Sequence, residues 1–198
     1  MLTSLILVLG SYLVGSVSAA VIVANRTKLP DPRSAGSGNP GATNILRLGG
    51  KRAAALTLFG DLIKGTLAIA VARYFSADTL LWGLCGGAVF LGHLYPVFFG
   101  FKGGKGVATA FGVYLGLEPL TALVLFAVWL LTAAGLRYAS LASLASAAAA
   151  PLCVWFIQHD WPLLAMSIGI SALLAWRHRA NIRRLLAGNE PRIGRSAK

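Results

Sequence analysis

Apolar residues in this chain arrive in blocks, not in alternation with polar ones. Residues 2–24, 53–73, 80–99, 120–135, 141–158 and 162–176 each approach the roughly 20 mostly apolar residues that an α-helix needs to cross a bilayer. A shorter block, 107–117, follows a glycine-rich loop and reads as a short or tilted span, or as a re-entrant segment. Most of the charged residues lie outside the blocks, and the longest connection, 25–52, is rich in Gly, Pro, Asn and basic residues. The pattern predicts an all-α polytopic membrane protein, with residues 1–198 forming a single integral-membrane domain.

Charge placement decides between six and seven spans, because cytoplasmic loops collect Lys and Arg. With seven spans, the first connection holds Arg26, Lys28, Arg33, Arg47, Lys51 and Arg52. The second on that side holds Lys102 and Lys105, the third Arg137. The tail holds Arg177, Arg179, Arg183, Arg184, Arg192, Arg195 and Lys198. Only Arg73 falls opposite, and Lys64 lies within a span. Dropping block 107–117 would put the basic tail opposite the basic first loop. The expectation is therefore seven transmembrane helices, with the N-terminus outside and the C-terminus cytoplasmic.

Composition supports the class. The 198 residues are 57% hydrophobic and 12% charged, against about 25% charged in a soluble domain. Eighteen bases against six acids give a net charge of +12, which suits anionic lipid headgroups or a phosphorylated substrate. Nucleic acid fits poorly, because the bases are scattered between apolar blocks and not gathered on a soluble module. Cys85 and Cys153 lie inside apolar blocks and read as small packed hydrophobes, neither disulfide nor metal pair. Block 2–24 is too long for a signal-peptide core and lacks a basic flank, so it is expected to remain as a membrane helix.

Three polar constellations fall on the basic face. Asp31-Pro-Arg-Ser-Ala-Gly-Ser-Gly-Asn-Pro-Gly-Ala-Thr-Asn44, followed by Arg47, is a turn-filled loop offering the hydroxyls of Ser37 and Thr43 and the amides of Asn39 and Asn44. Residues 42–48 suit a short interfacial helix. Ordinary turn chemistry in a solvated loop explains the same residues. The second constellation is Phe101-Lys-Gly-Gly-Lys-Gly-Val-Ala-Thr109, approached by Gly92-His-Leu-Tyr-Pro-Val-Phe-Phe-Gly100. It is not a Walker A loop: three residues, not four, separate Gly100 from Gly104, and Gly106 follows Lys105 where Ser or Thr would bind Mg²⁺. What remains is a nest-like turn opening onto a helix N-terminus, a setting that favours an anion. Two lysines acting only as membrane anchors are the plainer reading. The third is Arg177-His-Arg-Ala-Asn-Ile-Arg-Arg-Leu-Leu-Ala-Gly-Asn-Glu190, where His178 and Asn181 share a helix face and Gly188 is placed to end the helix. Such a tail also serves as a snorkelling anchor on anionic lipid.

Within the membrane blocks, Asp61 and Lys64 stand three apart and are expected to pair, since intramembrane charges are costly alone. Ser140 and Ser143 could bond a substrate oxygen or, more commonly for such residues, cap or bond the backbone. The run 147–150, all alanine, suits close helix packing.

Together the three segments resemble the bacterial glycerol-3-phosphate acyltransferases that use acyl phosphate as donor. The matching strings are Gly36-Ser-Gly-Asn-Pro-Gly-Ala-Thr-Asn44 with Arg47; Gly92-His with Pro96 and Phe101 to Thr109; and His178 with Asn181-Ile, Arg184, Gly188 and Glu190. Their order, spacing and seven-span frame cover essentially the whole chain. One position departs: Ser18, in Gly15-Ser-Val-Ser18, stands where the family is expected to have proline, which bears on a kink in the first helix and not on the chemistry.

The resemblance implies transfer of a fatty acyl group from acyl phosphate to the 1-hydroxyl of glycerol 3-phosphate, giving 1-acylglycerol 3-phosphate and inorganic phosphate. It also implies a monomeric bacterial inner-membrane enzyme that starts phospholipid synthesis, works at the cytoplasmic face and needs no metal or other cofactor. Ser37, Arg47, Lys105, His178 and Asn181 are expected to bind substrate and catalyse. Asn39, Gly41, Thr43, Asn44, Gly103, Gly104, Gly106, Thr109 and Ser143 are expected to bind substrate or phosphate, and Glu190 to hold the tail. Both substrates carry phosphate, so Arg47, Lys105 and the glycine loop suit them; Arg binds phosphate bidentately and Lys as a point charge. Acyl phosphate has a good leaving group, so positioning and oxyanion donors suffice without a covalent intermediate. The base is either His178 or a substrate phosphate.

Other classes fit less well. A metal-dependent phosphatidyl transferase needs clustered aspartates, whereas Asp31, Asp61, Asp78, Glu118, Asp160 and Glu190 are dispersed. Acyltransferases with His-x-x-x-x-Asp are excluded, because Phe98, Leu164 and Arg183 stand five residues after the three histidines. An organophosphate transporter would place its site near the bilayer midplane, often between repeats, and no repeat is evident. A structural membrane protein would use its bases only for orientation.

Overall fold

The computed structural model describes residues 1–194, so the tail bases Arg195 and Lys198 lie outside the described residues. Those residues form nine α-helices and one 3-10 turn, with no strand among them. The chain divides into two compact units, Met1–Leu117 and a second beginning at Glu118.

The first unit holds α1 (Leu2–Gly15), α2 (Ala19–Arg26), α3 (Ala42–Phe75), α4 (Thr79–Leu94), the 3-10 turn Val97–Phe99 and α5 (Val107–Leu117). The first apolar block is not one helix. It bends by 41° between α1 and α2. Ser18 caps the second piece, its hydroxyl accepting the Val21 N–H at 3.4 Å. The break occurs with serine at the position where proline was expected, because a capping hydroxyl can start a new helix as readily as proline can stop the old one. It also exposes the Val17 carbonyl, which accepts the Lys64 ammonium at 2.8 Å.

Helix α3 contains a second break. Gly50 has φ of +77°, which separates a two-turn helix beginning at Ala42 from the long apolar one. One core patch gathers Ala20, Ala24, Ile45 and Ala53. Another joins Ala72, Leu81 and Cys85 to Leu7, Val8 and Trp82. Helix α5 lies close against α3. A Cβ on Gly112 would strike the Leu62 carbonyl and stand 3.1 Å from the Thr66 nitrogen. The Thr66 hydroxyl donates to the Gly112 carbonyl at 3.0 Å. Small residues of this kind let apolar helices approach where lipid offers no hydrophobic drive.

The second unit holds α6 (Pro119–Leu136), α7 (Ala139–Gln158), α8 (Trp161–Arg177) and α9 (Arg179–Leu186). Side chains stitch its helices through backbone carbonyls: Ser146 donates to Leu125 O at 2.9 Å and Ser171 to Ala147 O at 2.7 Å. Ala142, Ala147 and Ala150 line the buried side of α7. Helix α9 ends in a left-handed Gly188, with Gly188 N–H donating to Leu185 O and Asn189 N–H to Arg184 O.

Among the described residues four helices are long and apolar enough to cross a membrane, five when the bent α1–α2 pair counts as one. The two remaining sequence blocks fall on α5 and α8, of 11 and 17 residues. Only 22% of the most apolar window of α6 is buried inside the protein. Such a face needs lipid to cover it.

Candidate functional site

In the first unit, the loop before α3 is folded back on itself by one side chain. Asn44 is 1% exposed. Its Oδ1 accepts the Ser37 N–H at 2.9 Å, and its Nδ2 donates to the carbonyls of Pro32 and Ala35, both at 3.0 Å. These three bonds use its amide to shape the turn that carries Ser37. Ser37 itself is exposed, as are Thr43 and Arg47 on the short helix; Asn39 and Gly41 are half-buried. Gly41 provides the extended N-cap of α3. Upstream, Asp31 and Arg33 pair at 2.6 Å. The hydrogen bonds from Arg33 hold the Asp31 carboxyl below its ordinary pKa. The same guanidinium lies over the Phe99 ring at 5.7 Å, so the loop is fastened to the 3-10 turn.

The glycine loop runs from that turn into α5. Gly103, Gly104 and Gly106 are buried and Lys105 is half-buried. Gly106, at φ +84°, bends the chain directly into the first turn of α5. There is no room for side chains inside the bend: a Cβ on Gly103 would meet the carbonyls of His93 and Leu94, and one on Gly104 would meet the His93 ring and the Pro40 carbonyl. The Gly104 N–H donates to the His93 carbonyl at 3.2 Å, so this amide is directed into the protein. Pro40 brings the end of the Ser37 loop against the glycine loop, which unites two of the three sequence constellations. Thr109 sits in the first turn of α5, fully buried, and its hydroxyl has no hydrogen-bond partner among the described residues.

In the second unit, three donors converge on one carboxylate. Ser140 and Asn181 each donate to Glu190 Oε1 at 2.6 Å, and Arg184 donates to Oε2 at 2.7 Å. Burial works against the Glu190 charge, but these hydrogen bonds outweigh it and hold the pKa below the ordinary glutamate value. The chain beyond is laced to the start of α7: Ile193 N–H donates to Arg137 O at 2.7 Å, and Arg192 to the Tyr138 hydroxyl at 3.0 Å. Ser143 donates to its own helix at Ala139 O and accepts the Trp129 indole N–H at 3.2 Å.

His178 stands between α8 and α9 and is 2% exposed. Its Nδ1 lies 2.9 Å from the Leu174 carbonyl oxygen. A carbonyl only accepts, so Nδ1 carries the proton and Nε2 is the nitrogen able to take one.

A family model for glycerol-3-phosphate acyltransferase matches residues 5–188. The chain belongs to the glycerol-3-phosphate acyltransferase family. A relative named glycerol-3-phosphate acyltransferase from Thioalkalivibrio sulfidiphilus is 50% identical over 198 residues, covering 100% of this chain and 98% of its own. One of the same name from Methylococcus capsulatus is 52% identical over 184 residues, 93% of each chain. The fold is similar to the crystal structure of PlsY (YgiH), an integral membrane glycerol 3-phosphate acyltransferase, in its glycerol 3-phosphate form: TM-score 0.93, 44% identity, 97% of this chain and 96% of that one. Its lysophosphatidic acid form gives TM-score 0.90 at 43% identity, again over 97% and 96%.

Within this acyltransferase fold, His93 is a residue to which sequence reasoning assigned no role. It stood in the matched Gly92-His string, but no function was attached to it. Its Nδ1 lies 3.4 Å from Asp61 Oδ1, which in turn lies 2.9 Å from Lys64 Nζ. Asp61 and Lys64 are buried, at 2% and 5% exposure. The buried charge pair therefore reaches the glycine loop through a third residue that no sequence spacing announces.

Proposed function

We propose that this acyltransferase moves a fatty acyl group from acyl phosphate to the 1-hydroxyl of glycerol 3-phosphate. The hydroxyl oxygen attacks the acyl carbonyl carbon, a carbon–oxygen ester bond forms, and the bond to phosphate breaks. The products are 1-acylglycerol 3-phosphate, a lysophosphatidic acid, and inorganic phosphate. The observation that carries this reading is the likeness to the glycerol 3-phosphate form of PlsY over nearly the whole chain.

The residues of both units suit that chemistry. Arg47 is exposed on a short helix and can meet a phosphate with two parallel N–H bonds. Lys105 adds a point charge in a loop of buried glycines, next to the N-terminus of α5. Ser37 presents a hydroxyl at the apex of its turn. Asn44 contributes by holding that turn, and Glu190 by holding Asn181 and Arg184 in place. The leaving phosphate takes the hydroxyl proton, so no enzyme base is required.

One observation favours a second reading of that last step. The fixed Nδ1–H tautomer of His178 leaves Nε2 as a basic nitrogen. A His178→Ala protein that binds glycerol 3-phosphate normally but has no turnover would assign the proton to His178.

Helix α1–α2 as one bent span, the four long helices, and α5 and α8 together make seven crossings, with the N-terminus outside and the C-terminus in the cytoplasm. In that topology each unit turns its basic connections toward the cytoplasmic side of a bacterial inner membrane. The chain works as one monomeric membrane domain. The test is release of phosphate from palmitoyl phosphate by protein purified in detergent without divalent metal. Release that depends on glycerol 3-phosphate is expected; release indifferent to the acceptor would overturn the reading.

A further inference from the structure

The first unit contains a buried ionic chain with no part in the chemistry above. Lys64 Nζ donates to the Val17 carbonyl at the break between α1 and α2, at 2.8 Å. The same ammonium lies 2.9 Å from Asp61 Oδ1, and that oxygen lies 3.4 Å from His93 Nδ1. All three side chains are less than a tenth exposed. A charge pair in an apolar bundle is costly, and a well-packed apolar pair of similar size would often be as stable. Its retention calls for something that apolar residues cannot supply, and the far end of the chain provides it.

His93 touches the glycine loop twice. Its carbonyl accepts the Gly104 N–H at 3.2 Å. The Nε2 edge of its ring packs on the Gly104 α-carbon, at the spot a Cβ would fill, with the Pro40 carbonyl beside it at 3.0 Å from that position. A ring free to rotate would leave the loop without that wall. Asp61 Oδ1 accepts no hydrogen bond among the described residues, but its charge 3.4 Å from Nδ1 favours the ring orientation that turns Nδ1 toward it, and the ammonium 2.9 Å away holds the carboxylate there.

We propose that Asp61, Lys64 and His93 are positioning residues: they fix the curvature of the Gly103–Gly106 loop and with it the placement of Lys105. They touch no substrate. The inference rests on the phosphate-binding role of that loop given above.

The test is steady-state kinetics in the palmitoyl phosphate assay, with thermal stability read in the same detergent. Variant Asp61→Asn/Lys64→Met removes both charges while keeping volume. It is expected to fold and to raise the KM for at least one phosphate substrate about tenfold, with kcat changed less than about threefold. His93→Ala is expected to do the same. His93→Gln, whose amide can reach toward the loop, should recover most of the loss. Folded variants with both KM values within about twofold of wild type overturn the proposal. So does failure of all three variants to fold, which would make the chain a folding element only. A wild-type protein without acceptor-dependent turnover sinks the functional reading as well; a wild type that turns over beside indifferent variants sinks the positioning alone.

Discussion

Ser140 and Glu190 are joined by a 2.6 Å hydrogen bond although 50 residues separate them. The bond ties the start of α7 to the segment that follows α9. Asn181 and Arg184 donate to the same carboxylate, so one acid organises a helix start, a helix face and the chain beyond it.

Glu190 therefore has a pH signature. Its folded pKa is depressed, so the stabilisation is complete above the ordinary glutamate value of about 4.3 and is lost as pH falls through the lower folded value. Glu190→Gln should lower stability at neutral pH by about 1.5–3 kcal/mol. Thermal unfolding in detergent should show the wild type approaching the variant on acidification below about pH 4.3. Parallel curves across that range would remove the assigned cause.

Gly112→Ala should destabilise the first unit by about 1–3 kcal/mol, because the added methyl lands on the Leu62 backbone, which cannot step aside as a flexible side chain would. The thermal midpoint reports it. Gly87→Ala, which meets nothing within 4 Å, is the control and should change little.

Asn44→Ala removes three hydrogen bonds and leaves the Ser37 N–H and the carbonyls of Pro32 and Ala35 to find new partners. A displaced turn should lower kcat/KM about a hundredfold. Activity within twofold of wild type would show that Ser37 keeps its place without the amide.

Thr109→Val replaces a buried hydroxyl that has no partner among the described residues by a methyl of the same shape. The expected change in stability is neutral or stabilising, within about 1 kcal/mol. Calorimetry on the same variant tests the substrate role expected of the hydroxyl: weaker glycerol 3-phosphate binding supports it, unchanged binding removes it.

The apolar blocks were legible because lipid imposes a length on whatever crosses it, and block edges at 53, 80, 107, 120, 141 and 162 all fall in helices or their first turns. The stop at Gly188 and the short helix from Ala42 were legible from local chemistry. The break at 16–18 was not, since the donor that satisfies the Val17 carbonyl is Lys64, 47 residues on. His93 escaped for the same reason: its carboxylate partner sits on another helix. The Gly112-x-x-x-Gly116 spacing in α5 was there to be read, but it names no partner, and α3 supplies one only when the chain folds. For Asn44, sequence gave the donor and acceptor atoms and left open whether a ligand or the loop itself would use them.

Arg73 gives the base that broke the charge asymmetry a reason to be there. Its Nη1 donates to the carbonyls of Gly116 and Leu117 at 2.9 and 2.8 Å, closing the end of α5. An eleven-residue helix reaches only about 16 Å, roughly half of a ~30 Å hydrocarbon core. A guanidinium closes one end of α5 and the lysine-bearing loop opens into the other. Most of α5 is buried, so protein contacts and not lipid set the positions of its two ends. Arg73 thereby supplies from α3 the C-terminal positive charge that α5 lacks in its own last turn.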